Sequence, residues 1–533
     1  MSRCLLLLCC LLGLMTALQA QTAMPKKVGW HYLDKEKDGY RGISLQQAYA
    51  LLKGRTGSQV VVAVIDSGID TLQPDLRPVL WNNPEEIPNN GIDDDGNGLV
   101  DDYYGWNYLG APNGENLAMS ISDEYRTYHR FKKAFENKTA TALPDSLAWQ
   151  YREWTRAKAR LEESYIKAKK GIDVVRKNFN LLSNADAAMQ DMCSKKIFTL
   201  KDIDRLRSNA ANRDILQLWK NIFADGAASN EAFVKGYEAY KKELEEDLVK
   251  LDTPPDEARN NLLQDDGYDI SRVHYGNHNL STFSGYHGTS VSSIIGAVRG
   301  NDKGIDGIAD NVRIMMIRGI LGKDEFDKDV ALSIRYAVDH GARVINMSFG
   351  KYISPDKRWV DEAIEYALSK DVVIVHAAGN DASDNDSTDH YPASRTINGK
   401  LLPNVIQAGA SGDESLGDVV APFSNYGKQN VDVFAPGMFI QCAIAGDGTQ
   451  EASGSSLASP VVAGIAALLR SYFPELKAAE VVDIIKRSGI PVDMKVRKPG
   501  TDGEMVALSE LCNTGRIVNA AAAIKLALSR VSQ

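Results

Sequence analysis

Three short stretches of the 533-residue chain carry the residue types that nucleophilic chemistry needs. In the first, Asp66-Ser67-Gly68 ends the apolar run 59–65, so a carboxylate stands where a buried strand stops and a glycine permits a tight turn. In the second, His287-Gly288-Thr289-Ser290 opens a stretch of small residues that suits a helix packed closely on a sheet. In the third, Gly454-Ser455-Ser456-Leu457-Ala458-Ser459-Pro460 puts Ser456 at the start of a long apolar helix. Unpaired N–H groups and the helix dipole favour developing negative charge there. Pro460 falls early in that helix, where a missing N–H is tolerated. A serine hydroxyl becomes a useful nucleophile when a histidine takes its proton and a carboxylate holds the histidine. Alone, Asp66 reads as an ordinary strand-edge acid and His287 as a packing histidine. The other histidines (31, 129, 274, 278, 340, 376 and 390) lack the Gly/Ser-rich helix-start setting of His287. In the order Asp, His, Ser the three stretches supply every part of an acyl-transfer centre.

A second chemistry is written in residues 89–102. Asp93, Asp95 and Asn97 place side-chain oxygens at alternate positions, Gly98 allows the sharp turn, and Leu99 offers its carbonyl. Asp101 or Asp102 supplies the closing carboxylate, and Asp102 is the one assigned. This is the first half of an EF-hand-type loop, so a structural Ca²⁺ is expected; the plainer alternative is a solvated acidic loop.

The three reactive stretches resemble the subtilase family of serine peptidases, whose D-[ST]-G, H-G-T and G-T-S-x-A-x-P blocks they match in order. The resemblance covers residues 58–107 and 267–530. It implies a catalytic set of Asp66, His287 and Ser456. It also implies that Asn380, at the end of Val373-Ile-Val-His-Ala-Ala-Gly-Asn380, donates to the oxyanion of the tetrahedral intermediate. The stretch Ser348-Phe349-Gly350 resembles the strand that pairs with an extended peptide. Ala377-Ala378-Gly379 would form the facing wall of the S1 pocket; its small residues imply a roomy pocket without a selecting charge. Asp75 weakly resembles a further calcium ligand of the family. Four positions depart from the pattern: Ser455 replaces Thr, Leu457 replaces Met, Ser290 replaces a second His, and Gln73 replaces the His of H-P-D-L. None of them is a triad or oxyanion position. The expectation is a secreted serine endopeptidase acting on protein or peptide substrates. The rival is a non-catalytic peptide-binding module on the same scaffold, which the complete set of reactive residues opposes.

The elements that must hold these residues are legible as well. Apolar, β-branched runs at 59–65, 312–317, 343–349, 372–377, 405–408 and 431–434 alternate with helical stretches at 287–298, 326–340, 357–369, 456–472, 478–487 and 517–530. That alternation indicates an α/β fold with a mostly parallel central sheet, and the resemblance makes it a subtilisin-like three-layer domain. Residues 116–265 change texture: Lys, Glu, Ala, Leu and Arg dominate. Apolar stripes there (Leu147, Tyr151, Trp154, Leu161, Tyr165, Ala168, Ile172, Val175, Phe179; and Phe233, Tyr237, Tyr240, Leu244, Leu248, Leu251) keep helical spacing, as in a bundle or long hairpin that packs on itself. The domain reading is therefore a signal peptide (1–20), a lead-in segment (21–57), the two parts of one catalytic domain (58–115 and 266–533), and an all-α helical insertion (116–265). The insertion is a candidate to gate the cleft or to bind substrate or a partner.

The start of the chain has one basic residue, Arg3, before an apolar run from Cys4 to about Leu18 and then small and polar residues. That is a secretory signal peptide, too short for a stable membrane span, and it implies export to the periplasm or the exterior. Only a short segment separates it from Asp66, so release by removal of a folded pro-domain is not expected. The net charge of −9 argues against a nucleic-acid surface. Cys193, Cys442 and Cys512 lie downstream of the signal: too few and too widely spaced for a disulfide framework, with one Cys442–Cys512 bridge or buried thiols as the alternatives.

Overall fold

The computed structural model describes residues 27–118, 121–256, 258–281, 285–322 and 325–531. The stretch read as a signal peptide lies outside them. The strands in chain order are β1 (Val60–Asp66), β2 (Gly105–Asn107), β3 (Val312–Arg318), β4 (Val344–Met347), β5 (Val373–Ala377), β6 (Val405–Ser411) and β7 (Val433–Pro436). They continue with β8 (Ile440–Ile444), β9 (Gly448–Ala452), β10 (Ile490–Pro491), β11 (Lys495–Arg497), β12 (Met505–Ala507) and β13 (Arg516–Ile517). Nine strands form one sheet in the order β10-β13-β7-β6-β5-β4-β1-β3-β2. Neighbours run parallel except β10 and β13. The sheet is the expected one, mostly parallel and buried on both faces.

Strand β1 shows why its sequence is apolar throughout. Val60, Val62 and Val64 enter one core together with Val291, Ile294, Val461 and Ile465, from the helices Tyr286–Gly296 and Ser455–Tyr472. Ala63 and Ile65 point the other way, into a core with Val330, Ile334, Val360 and Ile364 from the helices Asp327–Asp339 and Lys357–Ser369. Alternate residues of a strand face opposite sides, so a strand covered by helices on both faces reads as a continuous hydrophobic run. The three-layer α/β arrangement follows. Chain order reverses around β1, which has β3 on one side and β4 on the other. In open α/β sheets the carboxyl ends of the strands at such a point form the binding crevice.

The lead-in residues contribute to this body. Trp30, Ile43, Leu45, Ala48 and Leu52 join the first core, and Trp30 Nε1–H donates to the Met438 carbonyl at 3.0 Å. The hairpin β8–β9 has no counterpart among the expected strands, because Gly448–Ala452 is polar and largely exposed and reads as loop. Cys442 and Cys512 lie buried in separate apolar clusters, and Cys193, Cys442 and Cys512 are all free thiols. The possible Cys442–Cys512 bridge is thus not formed.

The chain divides into two compact units. One holds described residues 128–134 and 154–255; the other holds 27–127, 135–153 and 256–531. The first unit is helical. Its main helix, Ala148–Cys193, runs for 46 residues, of which 154 onward fall in this unit. Leu182 and Met189 of that helix pack with Phe198, Trp219 and Ile222, the last two from the helix Arg213–Ala224. Ala168, Ile172 and Val175 pack with Leu244 of the helix Asn230–Asp247. The aromatic members of the second stripe, Phe233, Tyr237 and Tyr240, are only half-buried, while Trp219, outside both stripes, is fully buried. Among the described residues no helix is long and apolar enough to cross a membrane.

Candidate active site

Asp66 is the last residue of β1, and its carboxylate is fully buried. A buried carboxylate needs every lone pair answered. The His287 imidazole answers both oxygens, Nδ1–H lying 2.9 Å from Oδ1 and 3.0 Å from Oδ2, and Ser67 donates from N–H (2.7 Å) and Oγ–H (3.1 Å) to Oδ1. The pair spans 221 positions of sequence. Gly288 permits the approach, since a Cβ there would lie 2.1 Å from the Gly68 carbonyl and 3.2 Å from Asp66 Cβ. Gly68 itself turns the chain at φ +114°, where other residues are strained. Burial works against the charged imidazolium, but the Asp66 charge and hydrogen bond outweigh it and hold the His287 pKa above its ordinary 6.5. With Nδ1–H committed to the acid, Nε2 is left as the base.

Ser456 is the second residue of the helix Ser455–Tyr472, at its amino end, where first-turn N–H groups have no intrahelical acceptor. Its hydroxyl is half-buried and makes no hydrogen bond to His287; catalytic contacts of this kind commonly close only around substrate. Pro460 proves to be the sixth residue of this helix rather than a first-turn one, and its missing N–H leaves the Ser456 carbonyl without its helical donor. Ser348 Oγ–H supplies that bond at 2.9 Å and also lies 2.8 Å from Ser459 Oγ. The Ser348 side chain therefore braces the turn that carries Ser456.

Asn380 sits just beyond β5. Its Oδ1 accepts the Ser455 N–H at 2.8 Å, while the neighbouring Gly379 N–H donates to Ser455 Oγ at 3.1 Å. The Ser455 N–H fixes the amide oxygen, and Nδ2 donates to no described residue. A Cβ built on Gly454 would meet Ser456 Oγ at 2.9 Å and Asn380 Nδ2 at 3.8 Å. Hydroxyl and amide thus border one small space, which glycine leaves open.

The two expected walls are more committed than their sequences suggest. Gly350 N–H donates to Glu325 Oε1 at 3.1 Å, and the Phe349 carbonyl accepts His376 Nε2–H at 2.7 Å. Burial, with His390 as the next contributor, holds the His376 pKa well below its usual value. Its Nδ1 then accepts from Gln407 Nε2 at 3.2 Å. Ala377 and Ala378 are buried, and Gly379 is half-buried. Behind Gly350 and Gly379 lies the imidazole of His390, so the space expected to be roomy is partly filled.

Arg318, which carries no mark in the sequence, pairs with Asp66 in the β1–β3 register and is 1% exposed. Its guanidinium donates to the carbonyls of Ser67 (3.0 Å), Leu109 (3.2 Å) and Leu117 (3.0 Å) and to Asn107 Oδ1 (3.1 Å). Burial lowers its pKa to about 10, so it remains charged at neutral pH and ties the chain after Asp66 to the loop after β2.

The acidic loop is ordered around a different set of oxygens from those read at regular spacing. Asp93 accepts the N–H groups of Asn97 (3.1 Å) and Gly98 (2.8 Å), and Asp101 accepts those of Asn90 (2.9 Å) and Gly91 (3.0 Å). The carboxylates that converge are Glu86, Asp95 and Asp102, with oxygens within 4.8 Å of one another. Asn97 Nδ2 bridges Asp95 (3.0 Å) and Asp102 (3.1 Å); Leu99 buries its side chain and donates its N–H to Asn97 Oδ1 (2.7 Å). Glu86 is 5% exposed, and its Oε2 is buried with no hydrogen-bond partner. Burial raises the Glu86 pKa, with Asp102 and Asp95 adding to the rise. No Lys or Arg among the described residues pairs with any of the three. A carboxylate with an orphaned buried oxygen, grouped with two further carboxylates, fits a hard divalent cation with oxygen ligands. By contrast, Asp75 spends its oxygens on Asn301 Nδ2 (2.7 Å) and the Ile305 N–H (2.9 Å).

Comparison with known proteins agrees with this geometry. A thermophilic serine proteinase of Bacillus sp. (strain AK1) is 41% identical over 206 residues, covering 38% of this chain and 46% of that protein. Thermitase of Thermoactinomyces vulgaris is 37% identical over 187 residues, covering 35% of this chain and 61% of thermitase. A cell wall-associated protease of Bacillus subtilis (strain 168) is 33% identical over 250 residues, covering 46% of this chain and 26% of that protein. The chain thus spans less than two thirds of the length of each of these relatives. The profile of the subtilase family matches residues 57–510, and the chain belongs to that family.

Proposed function

We propose that this chain is an exported serine endopeptidase that hydrolyses peptide bonds of proteins or peptides through an acyl-enzyme. Ser456 Oγ attacks the scissile carbonyl while His287 Nε2 takes its proton. Asp66 fixes the ring through Nδ1–H and stabilises the imidazolium. Asn380 Nδ2 and the Ser456 backbone N–H hold the oxyanion, charge that exists only as the bond is attacked. The imidazolium returns its proton to the leaving amine. His287 then activates water, whose attack on the acyl-enzyme frees Ser456 Oγ. The observation that carries this reading is the two-oxygen grip of Asp66 on His287 Nδ1, at 2.9 and 3.0 Å, since it serves to orient a base. Ser348, Phe349 and Gly350 would lie along the bound peptide opposite Ala377, Ala378 and Gly379. Export is supported by the N-terminal apolar run and by the cell wall-associated relative.

A Ca²⁺ ion would be held by Glu86, Asp95 and Asp102, with the Leu99 carbonyl as a further ligand read from the sequence; Asn97, also read there as a ligand, would instead brace Asp95 and Asp102 through Nδ2. It would neutralise the buried acids and stiffen the loop. The helical segment is proposed as a separate domain inserted in the peptidase chain, available to gate the cleft or recruit substrate.

The test is hydrolysis of denatured casein in Ca²⁺-containing buffer by the intact protein and by Ser456→Ala. Internal cleavage that vanishes in the variant is expected. Equal cleavage by both would remove Ser456 from the mechanism, and tight peptide capture without cleavage would favour the binding-module reading.

A further inference from the structure

The edge of one imidazole reaches both walls of the space beside Ser456. A Cβ built on Gly350 would meet His390 Cε1 at 2.3 Å and Nε2 at 2.5 Å; one built on Gly379 would meet the same Nε2 at 3.1 Å. His390 therefore closes the gap between the two strand-end loops from behind, and only glycine at both positions leaves it room. The residue is 6% exposed. Its Nδ1 is buried without a hydrogen-bond partner, and its Nε2 bonds to no described residue. A buried ring nitrogen without a partner is an incomplete site, because such groups are normally paired.

The ring is held in place by its chain neighbours. Tyr391 and Lys351 exchange backbone hydrogen bonds at 2.8 and 3.0 Å, which sets residue 390 beside Gly350. Arg152 grips the same segment, pairing with Asp389 and donating to Tyr391 Oη at 3.2 Å. The rings of His376 and Tyr352 pack against His390 at 5.3 and 5.5 Å. The facing charge is Asp381, whose carboxylate accepts from Tyr352 Oη. Burial lowers the His390 pKa to about 4, against the pull of Asp381, so the ring is neutral at ordinary pH.

We propose that His390 is the specificity-determining residue of the S1 pocket. It shortens the pocket to admit small side chains, and it offers Nε2 as a hydrogen-bond partner to an uncharged polar one, so the preferred P1 residues are Ala, Ser, Thr and Asn. Aromatic and long basic side chains are excluded by depth. Carboxylates are disfavoured by a neutral ring with Asp381 beside it. The proposal rests on the peptidase reading and on its two pocket walls.

The experiment is cleavage of a P1-varied peptide library by wild type, His390→Ala and His390→Gln, with each preparation normalised to active sites by fluorophosphonate titration. Wild type should favour the short P1 set. His390→Ala should gain about 10- to 200-fold in relative kcat/KM for Phe or Leu over Ala, the scale that shape complementarity in a pocket commands. His390→Gln, which keeps bulk and a polar head, should retain the short preference. Wild type cleaving after Phe or Lys as readily as after Ala would overturn the proposal. So would His390→Ala keeping the wild-type profile while still titrating fully. Wild type that neither titrates nor cleaves would overturn the peptidase reading, and this inference with it.

Discussion

The larger unit holds two largely buried carboxylate sites that are solved in opposite ways. Asp66 is fully buried, yet its oxygens are met by an imidazole N–H, a backbone N–H and a hydroxyl of the chain itself. Glu86, Asp95 and Asp102 converge with only amides, backbone N–H groups, the Tyr336 hydroxyl and the more distant His340 around them, and Glu86 Oε2 is left unmatched. Burying charge without a partner is costly, so on the proposed reading the second site draws a cation from solution while the first does not. The lesson is about roles. A carboxylate that is complete within the fold is suited to hold a neighbouring base, whereas an incomplete cluster is suited to tether a cation.

The comparison can be broken at either end. His287→Ala removes the group that Asp66 holds, and peptide-ester hydrolysis should fall by about a million-fold, while Tm drops because the buried Asp66 Oδ2 loses its donor. A loss under tenfold would show that another base serves. Asn380→Ala should cost about 10²–10³ in kcat with KM nearly constant, the expected effect of one oxyanion donor. A rise in KM at constant kcat would instead make Asn380 a ground-state contact. At the acidic loop, chelation should lower Tm, and restoring Ca²⁺ to a thousand-fold excess over Kd should return roughly 4 kcal/mol of stability. Glu86→Gln should weaken that response, and a Tm indifferent to chelator would contradict the cation site.

The smallest effect is a shift in pH profile. The base must be neutral to accept the Ser456 proton. Because Asp66 holds the His287 pKa above 6.5, kcat/KM should rise with pH through a midpoint above that value. Asp66→Asn removes the charge that raises it, so the residual activity should show a lower midpoint. An unmoved midpoint would mean that another group titrates.

How much of this was legible follows from distance along the chain. Asp66, His287 and Ser456 each carry a local signature, because a strand-end acid needs its glycine turn and the two helix starts need small neighbours. Helix Lys357–Ser369 and strands β1, β3 and β5 lie within a residue or so of their sequence limits, since burial on one helix face or on both strand faces is written in the period. Glu86, Arg318 and His390 carried no such mark. Each looks like an ordinary charged or loop residue until the fold brings it to its partners: Glu86 to Asp95 and Asp102, Arg318 to the carbonyls of a loop some 200 positions earlier, and His390 to Gly350 and Gly379. Pro460 is the intermediate case. The sequence shows a helix-start proline, but the cost of its missing N–H is offset by Ser348, 108 positions away from Ser456. The helical unit announced its periodicity, yet its most buried aromatic, Trp219, lies outside both stripes, because a core is chosen by packing between helices rather than along one.

The central claim is that Ser456 is a nucleophile activated by the Asp66–His287 pair. It is tested most directly by treating the intact protein with a fluorophosphonate and locating the adduct by mass spectrometry. The account predicts one stoichiometric adduct on the peptide containing Ser456, slowed by orders of magnitude in His287→Ala and absent in Ser456→Ala. An adduct elsewhere, or labelling of Ser456→Ala at the wild-type rate, would contradict it.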